Sequence, residues 1–535
     1  MNLSERRADR LAVGGLLVLA TALRLAFLTV ESLWVDEAAT LYYVRRYTYR
    51  QLLFEVPITE THPRLYYPFM KAWTAVAGTS VVSLRLPAVL FGVGTVAVTY
   101  AIGRRLYTHR VGLGAGALVA VSRFHVKHAQ SVRMYTLLSL VGLLSFLAFV
   151  RLRNGDATRD RVGYVVATTL AIYTHVFGLF VVIVQNLYVW TAPFLDRVGD
   201  TIQWRRWILL QGAVAALTAP WAFVLVSRVL AVSSGGPPLR LSWIPRPTLA
   251  VLPQTVGRYF GIGWLVPRLG ESGLVVVAVG SVAVIGVGVA TGVVDRRSVA
   301  ASLSWLREAV DDRTYLLGLW AVVPIALLFV VSYVVVPLYV VRYTILASFP
   351  LYVLVAAGVD GLGRKLSGST AGSIAAVAAV LLVVSASLPG YYAFDQNEAW
   401  DEVAADVEAA ADADDLVLVT NYIPGFIQTK TAFEYYFDRP NVTVTGIPDG
   451  LSSSRLRNLT AGHETVWIAF SHTVPAHARA IRAQLNETYA VAEVRYYHSV
   501  ALYRYERRSV APSSNHSSAA SISRRGGEQV NARQA

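Results

Sequence analysis

The sequence contains no cysteine and has few charged residues for its length. Of its 535 residues, only 15% are Asp, Glu, Lys or Arg, whereas 55% are hydrophobic. The absence of cysteine excludes disulfides and thiolate metal sites, although it leaves the redox compartment undetermined. Soluble domains usually carry about 25% charged residues, so the composition excludes an ordinary soluble protein. The chain is therefore an integral membrane protein.

Apolar runs long enough to cross a bilayer recur along the first two thirds of the chain, since a crossing needs about 20 residues. The sequence predicts a polytopic α-helical protein with about eleven transmembrane helices. The predicted spans are 11–30, 82–103, 111–124, 134–150, 162–175, 177–194, 207–231, 272–294, 314–336, 343–359 and 371–391.

Arginine supplies most of the positive charge, and it is concentrated in every second predicted loop. Such loops contain Arg6, Arg7, Arg104, Arg105, Arg151, Arg153, Arg205, Arg206, Arg296, Arg297 and Arg364. The positive-inside rule then predicts a cytoplasmic N-terminus and, with an odd number of spans, an extracellular C-terminus. We expect a multi-pass protein of the plasma membrane in contact with its lipids. The net charge of +14 follows from this topology, and we do not predict nucleic-acid binding.

Two long outer loops interrupt the predicted spans, at 31–80 and 232–271. The first is rich in Tyr and Trp, and its segments 41–55 and 65–76 are predicted to be amphipathic helices on the membrane surface. The second contains many Gly and Pro residues, and a loop of this length is typical of lids and binding loops.

The composition changes after Tyr392, and residues 395–450 contain twelve acidic and two basic residues. We predict a transmembrane domain over 1–393, an external α/β domain over 394–508 and a disordered tail over 509–535. The α/β prediction depends on helical patterns at 399–411, 424–437 and 475–488, strands at 416–419, 442–446 and 466–470, and a β pair at 491–506. Glycosylation sequons at Asn441, Asn458, Asn486 and Asn515 agree with an external face if the host N-glycosylates, although a further sequon falls at Asn2.

Two adjacent carboxylates, Asp36 and Glu37, follow the first predicted span. Carboxylates are costly near hydrocarbon, which favours a functional role at the membrane surface. Asp36 is suited to take a proton from a hydroxyl that is being glycosylated. The alternative is that Asp36 is the N-cap of a helix over 37–45, and one residue can do both.

The predicted outer ends of the spans carry further polar groups that break the positive-inside trend. They are His62, Arg64, Tyr66, Lys127, His128, Arg133, Tyr135, His175, Tyr339, Arg342 and Tyr343. Arg133 and Arg342 suit a phosphate, because guanidinium groups bind phosphate through bidentate charged hydrogen bonds. The structural alternative is that each arginine pairs with a carboxylate or extends to lipid phosphate. His62 and His175 lack a fixed metal-ligand spacing, so a divalent metal is left open and no cofactor is predicted with certainty.

Five motifs occur in this order along the chain. They are Trp34-x-Asp36-Glu37-Ala38, His62-Pro63-x-Leu65-Tyr66-Tyr67, Gln130-x-x-Arg133-Met134-Tyr135, Tyr173-Thr174-His175 and Pro337-x-Tyr339-x-x-Arg342-Tyr343. Together they resemble the GT-C glycosyltransferases, most closely the group of protein O-mannosyltransferases and lipid A aminoarabinose transferases. The resemblance covers about residues 1–400 in arrangement.

The resemblance implies a polyprenyl-phosphate-linked sugar donor, used on the outer side of the membrane with inversion at the anomeric carbon. It implies that Asp36 is the catalytic carboxylate with Glu37 in support. It also implies that Arg133, Arg342 and Lys127 hold the donor phosphate, with Tyr135, Tyr339 and Tyr343 nearby. The remaining residues, His62, Arg64, Tyr66, His128 and His175, are predicted to contact the acceptor or other parts of the site.

The chain departs from the family pattern in two places. Relatives commonly carry an acidic residue where this chain has Ser131, which puts a second-acid role in doubt, and Arg64 replaces the second proline of the His-Pro-Pro motif. The Trp-Trp-Asp-x-Gly signature of oligosaccharyltransferases is absent from the sequence, so transfer of a whole glycan to Asn is not predicted.

The sequence therefore predicts a membrane enzyme that moves a single hexose, with mannose as the first choice, from polyprenyl or dolichyl phosphate to an external acceptor. The acceptor is a lipid-linked glycan, a protein-linked glycan, a protein hydroxyl or an envelope lipid, and an archaeal dolichyl-phosphate-mannose pathway is attractive. Two alternatives stay open. A transporter or flippase would place ionisable residues at mid-span, whereas the charges lie mainly at span ends. The second alternative is an inactive protein that keeps a GT-C-like scaffold.

Overall fold

The structure is a computed structural model that describes residues 3–55, 65–195, 203–233, 244–262, 311–367, 370–421, 428–448, 451–508 and 521–524. By backbone contacts the chain divides into two units. The membrane unit comprises Met1–Leu28 and Thr48–Tyr391, and the α/β unit comprises Thr29–Tyr47 and Tyr392–Ala535.

The described chain is mainly helical, as predicted. The α-helices are, in chain order, α1 (Leu3–Leu25), α2 (Val35–Arg46), α3 (Tyr49–Phe54), α4 (Tyr66–Ala77), α5 (Val81–Leu106), α6 (His109–Val121), α7 (Arg123–Ala129), α8 (Tyr135–Leu152), α9 (Thr158–Thr174), α10 (Leu179–Thr191), α11 (Trp204–Ser233), α12 (Val251–Tyr259), α13 (Asp312–Val334), α14 (Ser348–Ser367), α15 (Thr370–Ser385), α16 (Leu388–Ala393), α17 (Trp400–Ala410), α18 (Gln428–Tyr436), α19 (Ser453–Thr460) and α20 (Pro475–Thr488). Short 3-10 helices cover Val176–Gly178, Ala192–Leu195 and Val341–Ala347.

Within the described residues, six helical segments are long and apolar enough to cross a membrane. They are Val81–Leu106, Tyr135–Leu152, Trp204–Ser227, Asp312–Val334, Val341–Lys365 and Ala371–Ala393. Helices α6 and α10 are apolar but shorter than a full crossing, and the predicted span 272–294 lies outside the described residues. The chain is therefore a multi-pass membrane protein, and the predicted number of eleven spans is not confirmed.

Helices α5 and α6 pack closely because glycines face each other at their contact. A Cβ added to Gly112 would lie 2.6 Å from the Tyr100 carbonyl oxygen and 2.9 Å from the Arg104 backbone nitrogen. The Cβ of a residue replacing Gly103 would lie 3.0 Å from the Gly112 Cα. The two backbones can approach to this distance only without side chains, as in other close helix pairs in membranes.

We expect Gly112→Ala to destabilise the membrane unit by about 1–3 kcal/mol, because the added methyl group meets backbone atoms that cannot rotate away. Gly163→Ala on α9 is the matched control, since nothing lies within 4 Å of the added Cβ. Removing a helical glycine there should stabilise by roughly 0.5–1 kcal/mol. Thermal unfolding in detergent would measure both variants, and equal unfolding temperatures for the two would contradict the packing argument.

Two fully buried arginines in the membrane unit bind carbonyl groups. Arg24 donates to the Ala120 and Val119 carbonyls at 3.2 Å each, at the C-terminal end of α6. Arg85 donates to the Leu28 carbonyl at 2.7 Å. The last carbonyls of a helix have no partner within it, so these guanidinium groups supply donors that the bilayer cannot. The contacts give both arginines a structural role near the ends of their helices.

The α/β unit contains a six-stranded mixed sheet, which confirms the predicted small sheet domain. Its strands are β1 (Leu416–Asn421), β2 (Thr443–Pro448), β3 (Thr465–Phe470), β4 (Tyr489–Tyr497), β5 (Val500–Arg507) and β6 (Ser521–Arg524). The strand order is β2-β1-β3-β5-β4-β6, with β1 parallel to both β2 and β3 and with β5 antiparallel to both β3 and β4.

Alternation along the central strands produces an apolar core on each face of this sheet. On β1, Val417 and Val419 pack with Trp400 and Phe433 from α17 and α18. Leu416 and Leu418 belong to the opposite face, where the residues of α19 and α20 pack. Successive strand residues point to opposite faces, so a continuous apolar run is what a strand covered on both sides requires.

The first outer loop differs from its prediction. Instead of one surface helix over 41–55, the chain forms α2 and α3, with a break at Tyr47-Thr48. A new helix begins after Thr48, because the Thr48 side chain accepts the Gln51 backbone N–H at 3.3 Å and caps α3. Helix α2 packs against α18 within the α/β unit, and its Ala38 lies in the same core as Trp400. A helix with one face in a protein core is not a membrane-surface helix. The predicted loop 232–271 is described only in part, and it contains α12.

Candidate functional site

An arginine and a group of aromatic rings meet in the membrane unit. The Arg342 Nε donates a hydrogen bond to the Tyr135 hydroxyl at 3.0 Å, although the two residues are 207 positions apart. The Arg342 guanidinium carbon lies 5.5 Å from the centre of the Tyr343 ring. The ring of Tyr135 is 5.2 Å from that of His128 and 5.9 Å from that of His175. We call these five residues the Arg342 cluster.

The local structure explains how the cluster is assembled. Tyr135 is the first residue of α8 and is 2% exposed, so its position is fixed by packing. Arg342 and Tyr343 lie in the 3-10 helix Val341–Ala347, directly before α14. Because an irregular turn precedes each of these two spans, polar side chains reach the span ends without interrupting a membrane helix.

His175 is held in a defined orientation at the end of α9. Its Nδ1 accepts the backbone N–H of Phe177 at 3.2 Å, and its ring stacks on the Phe177 ring at 4.9 Å. An Nδ1 that accepts a hydrogen bond leaves the proton of the neutral ring on Nε2. The Tyr343 ring lies 5.9 Å from this imidazole. His175 therefore belongs to the cluster, and its role stays a prediction.

His128 contributes no positive charge to the cluster. Burial, together with the positive charges of Lys127 and Arg342, lowers the pKa of His128 to about 3. The ring therefore stays neutral at physiological pH. The positive charge beside it comes from the side chains of Lys127 and Arg342. A permanent cation beside neutral rings is suited to hold an anionic group.

Other predicted residues lie in different surroundings. Arg133 is 6% exposed in the turn between α7 and α8, and its backbone N–H donates to the Ser131 carbonyl at 2.7 Å. The Tyr339 hydroxyl shares a hydrogen bond of 2.8 Å with the Thr255 hydroxyl of α12. Tyr66 is buried at the start of α4, next to Leu65, whose N–H donates to the Tyr173 carbonyl at 3.1 Å. His62 and Arg64 lie outside the described residues.

The predicted catalytic carboxylates lie in the α/β unit, on the first turn of α2. The helix begins at Val35 with Trp34 as its N-cap, so the alternative that Asp36 is an N-cap is wrong. Glu37 is 1% exposed, and its carboxylate accepts the Trp34 backbone N–H at 3.3 Å. This contact from the third helical residue back to the N-cap is half of a capping box. Glu37 therefore stabilises the start of α2, whereas Asp36 is half-buried beside it.

Sequence reasoning missed two residues near this turn, Glu398 and His472. A Glu398 carboxylate oxygen accepts the Val35 backbone N–H at 3.4 Å, and the other oxygen pairs with His472 Nε2. Neither residue belongs to one of the five motifs. His472 stands out by its left-handed backbone, with φ of 53°. This conformation is visible in the structure and could not be predicted from the sequence.

A metal site does not form among the described residues, which contain no group of three or more His, Cys, Asp or Glu arranged to hold an ion. His62, one of the two histidines considered for a metal, lies outside those residues. The question of a divalent metal therefore stays open.

The comparisons with known proteins give one family match. Residues 61–225 match the family model described as dolichyl-phosphate-mannose-protein mannosyltransferase. This segment contains three of the five cluster residues, His128, Tyr135 and His175, and also Arg133 in the turn before α8. No curated protein sequence matches the chain significantly.

Solved structures match over nearly the whole chain. ArnT from Cupriavidus metallidurans bound to undecaprenyl phosphate matches with a TM-score of 0.56 and 13% identity, covering 92% of this chain and 97% of that one. The archaeal oligosaccharyltransferase AglB from Archaeoglobus fulgidus, in complex with an inhibitory peptide and a dolichol-phosphate, matches with a TM-score of 0.50 and 11% identity, covering 87% and 70%. Matches at such low identity show a shared fold.

Proposed function

Because the chain has the GT-C fold of membrane glycosyltransferases, as its motifs predicted, we propose that it transfers a single hexose from a polyprenyl-phosphate donor to an acceptor hydroxyl. The observation that carries the proposal is the contact of Arg342 with Tyr135 at 3.0 Å. Tyr135 lies inside the segment that matches the mannosyltransferase family model, whereas Arg342 lies outside it. Arg342 therefore contacts the matched segment at Tyr135, and the resemblance predicts that both residues lie at the donor phosphate.

The donor class is supported by the charge and the surroundings of the Arg342 cluster. A guanidinium group that donates to a tyrosine and stacks near a second one is held in one orientation, which favours bidentate binding of a planar pair of phosphate oxygens. Two structural neighbours were solved with undecaprenyl phosphate and dolichol-phosphate respectively. We propose polyprenyl or dolichyl phosphate as the lipid carrier, with Arg133 and Lys127 also binding the phosphate.

The proposed reaction is a direct displacement at the anomeric carbon. The acceptor hydroxyl attacks this carbon as its proton passes to the Asp36 carboxylate, and the bond to the phosphate oxygen breaks. The polyprenyl phosphate leaves with the bonding electron pair, and the arginine charges stabilise it. A single displacement of this kind inverts the anomeric configuration. Mannose is the proposed sugar because the family model names it, and a lipid-linked or protein-linked glycan is the proposed acceptor.

The location of the reaction is proposed from the ends of three helices. Basic residues occupy the last turns of α5, α8 and α14, at Arg104, Arg151 and Arg364 among others. Tyr135 opens α8, and Arg342 precedes α14, so the Arg342 cluster belongs to the opposite ends of the same helices. With basic ends in the cytoplasm, the cluster would lie on the outer side of the plasma membrane.

The proposal predicts that lipid-phosphate sugars, but not nucleotide sugars, serve as donors. Membranes containing the protein would be given radiolabelled dolichyl-phosphate-mannose or GDP-mannose, with the transfer of mannose from GDP-mannose to dolichyl phosphate blocked. Label would be followed into lipid-linked glycan and protein. We expect incorporation from the lipid donor alone, because the proposed site binds a phosphate whose lipid chain lies in the bilayer.

Sealed proteoliposomes test the flippase alternative in the same assay. Movement of the labelled lipid between leaflets without a change in its chemical identity would favour a flippase and contradict the enzyme proposal. Transfer that occurs only from GDP-mannose would also contradict the proposal, because it would exclude a lipid-phosphate donor. Membranes that carry the Asp36→Asn variant provide the background for both measurements.

A further inference from the structure

The helix that carries Asp36 is built into the core of the α/β unit. Ala38, two residues after Asp36, is fully buried in one cluster with Trp400, Val403 and Phe433. The Leu33 backbone N–H donates to the Tyr436 hydroxyl at 2.8 Å. A residue that lies within one turn of such contacts has little freedom to move independently of that unit. The position of Asp36 therefore depends on the residues of the α/β unit.

A short segment just before α17 forms hydrogen bonds with the residues that precede α2. The Glu31 carboxylate accepts the backbone N–H groups of Gln396 at 3.0 Å and Asn397 at 2.9 Å. The Asn397 side-chain amide donates to the Ser32 carbonyl at 2.8 Å. These bonds join residues about 365 positions apart in the sequence and replace the water that a loop of this kind would otherwise bind.

Glu398 is the point where this segment reaches the first turn of α2. Its side chain is 4% exposed, and its backbone carbonyl accepts the Ser32 hydroxyl. One carboxylate oxygen accepts the Val35 N–H at 3.4 Å, and the other pairs with His472. The Val35 N–H at the start of α2 has no partner within the helix, and the Glu398 carboxylate supplies a charged acceptor for it. Asp36 is the next residue along the chain.

His472 completes the arrangement from the far end of β3. Its backbone has φ of 53°, a conformation that non-glycine residues rarely adopt, so the position is fixed by its surroundings. The negative charges of Glu398 and Asp36 both raise the pKa of His472, with the hydrogen bond to Glu398 as the largest cause. An imidazole that is hydrogen-bonded to a carboxylate carries a positive charge to higher pH than usual.

We propose that Glu398 and His472 form a positioning pair for Asp36. Glu398 fixes the first turn of α2 through the Val35 N–H, and His472 holds the second Glu398 carboxylate oxygen, so the pair orients the turn that carries Asp36. Neither residue transfers a proton to substrate in this proposal. The part concerning catalysis rests on the proposed function, whereas the part concerning the first turn of α2 does not.

The pH dependence follows from the sign of the shift. The charged groups that the structure sets against His472 are Glu398 and Asp36. Because its pKa is raised by folding, the charged pair is present in full below the ordinary pKa of histidine. It is lost as the pH rises through the raised value. The contribution of His472 to transfer should therefore be largest under mildly acidic conditions and small at alkaline pH.

The test compares His472→Gln and Glu398→Gln with two controls on the same unit, His463→Gln and Glu464→Gln. His463 contacts the Asp414 backbone carbonyl, and the side chain of Glu464 is 79% exposed, so neither control should change transfer. For His472→Gln we expect kcat at mildly acidic pH to fall roughly tenfold, since a small misplacement of a reacting group can cost up to about 100-fold in rate. The donor KM should be unchanged, and His472→Lys, which restores a positive charge, should recover part of the loss.

Hydrogen exchange supplies a readout that does not depend on activity. In the full-length protein, Glu398→Gln should accelerate amide exchange at residues 32–37, and Glu464→Gln should leave it unchanged. Faster exchange with no transfer by the wild type would refute the proposed function and retain the positioning of α2. A wild type that transfers sugar, beside His472→Gln and Glu398→Gln variants with unaltered kcat and exchange, would refute the positioning pair.

Discussion

The Asp36→Asn variant should lose transfer by about 10²–10⁴-fold while it keeps its expression level and fold. A positioned general base contributes this factor, because the hydroxyl nucleophile is a poor one until its proton is removed. Asparagine has the same shape as aspartate, but its amide oxygen does not take up a proton at neutral pH. The loss should appear in kcat, since the donor phosphate is proposed to bind elsewhere, at arginine.

Structural damage should contribute little to this loss. Asp36 lies in the first turn of α2, where removing a negative charge weakens the interaction with the helix dipole by only about 0.3–1 kcal/mol. Glu37→Gln is an informative comparison, because its amide oxygen can still accept the Trp34 N–H and cap the helix. We expect Glu37→Gln to retain most of the activity.

The measurement is single-turnover transfer of labelled hexose in membranes, with thermal unfolding of each purified variant in detergent. Asp414→Asn, at an exposed position of the α/β unit, controls for loss of a carboxylate as such. Undiminished transfer by Asp36→Asn would remove the catalytic assignment. A large drop in unfolding temperature would instead assign the loss to the stability of α2.

Replacement of Arg342 by alanine should raise the donor KM by roughly 10–150-fold, which corresponds to about 1.5–3 kcal/mol for a charged hydrogen bond. The reason is the loss of a permanent positive charge beside the neutral His128 ring and the Tyr135 hydroxyl. Arg342→Lys keeps the charge without the planar fork, so it should recover only part of the donor affinity.

Two variants separate the charge of Arg342 from its orientation. Tyr135→Phe removes the hydroxyl that accepts the Arg342 Nε, and it should raise the donor KM less than Arg342→Ala does. Arg364→Ala removes an arginine at the other end of α14, where it pairs with Asp360 at 2.6 Å, and should leave the donor KM unchanged.

Donor dependence would be measured with the purified protein at saturating acceptor, and binding of unlabelled polyprenyl phosphate would be measured in parallel. An Arg342→Ala variant with normal donor KM and normal lipid-phosphate affinity would remove Arg342 from the phosphate site. A fall in kcat alone would instead show that Arg342 acts in the transition state. Loss of binding that is equal in the ground state and the transition state raises KM, whereas loss of binding made only in the transition state lowers kcat.

Local patterns in the sequence were enough to predict most of the elements. The helix predicted at 475–488 is α20, and the strand predicted at 466–470 is β3 with one further residue. Both depend on periodicity, which neighbouring residues carry without help from distant ones. The sheet domain and the helical membrane unit follow from the same signals, and the motif order indicated the GT-C fold that the solved structures share.

The sequence by itself determined that the chain is a membrane protein with a C-terminal sheet domain, because hydropathy and alternation are local properties. Only the tertiary structure decided which unit holds each site residue. It places α2 and Asp36 in the same unit as the residues after Tyr392, through a contact between Val35 and Glu398 that spans 363 positions. It brings Arg342 to Tyr135 across 207 positions. Contacts of this range depend on how whole elements pack, and no periodicity within a segment encodes its distant partner.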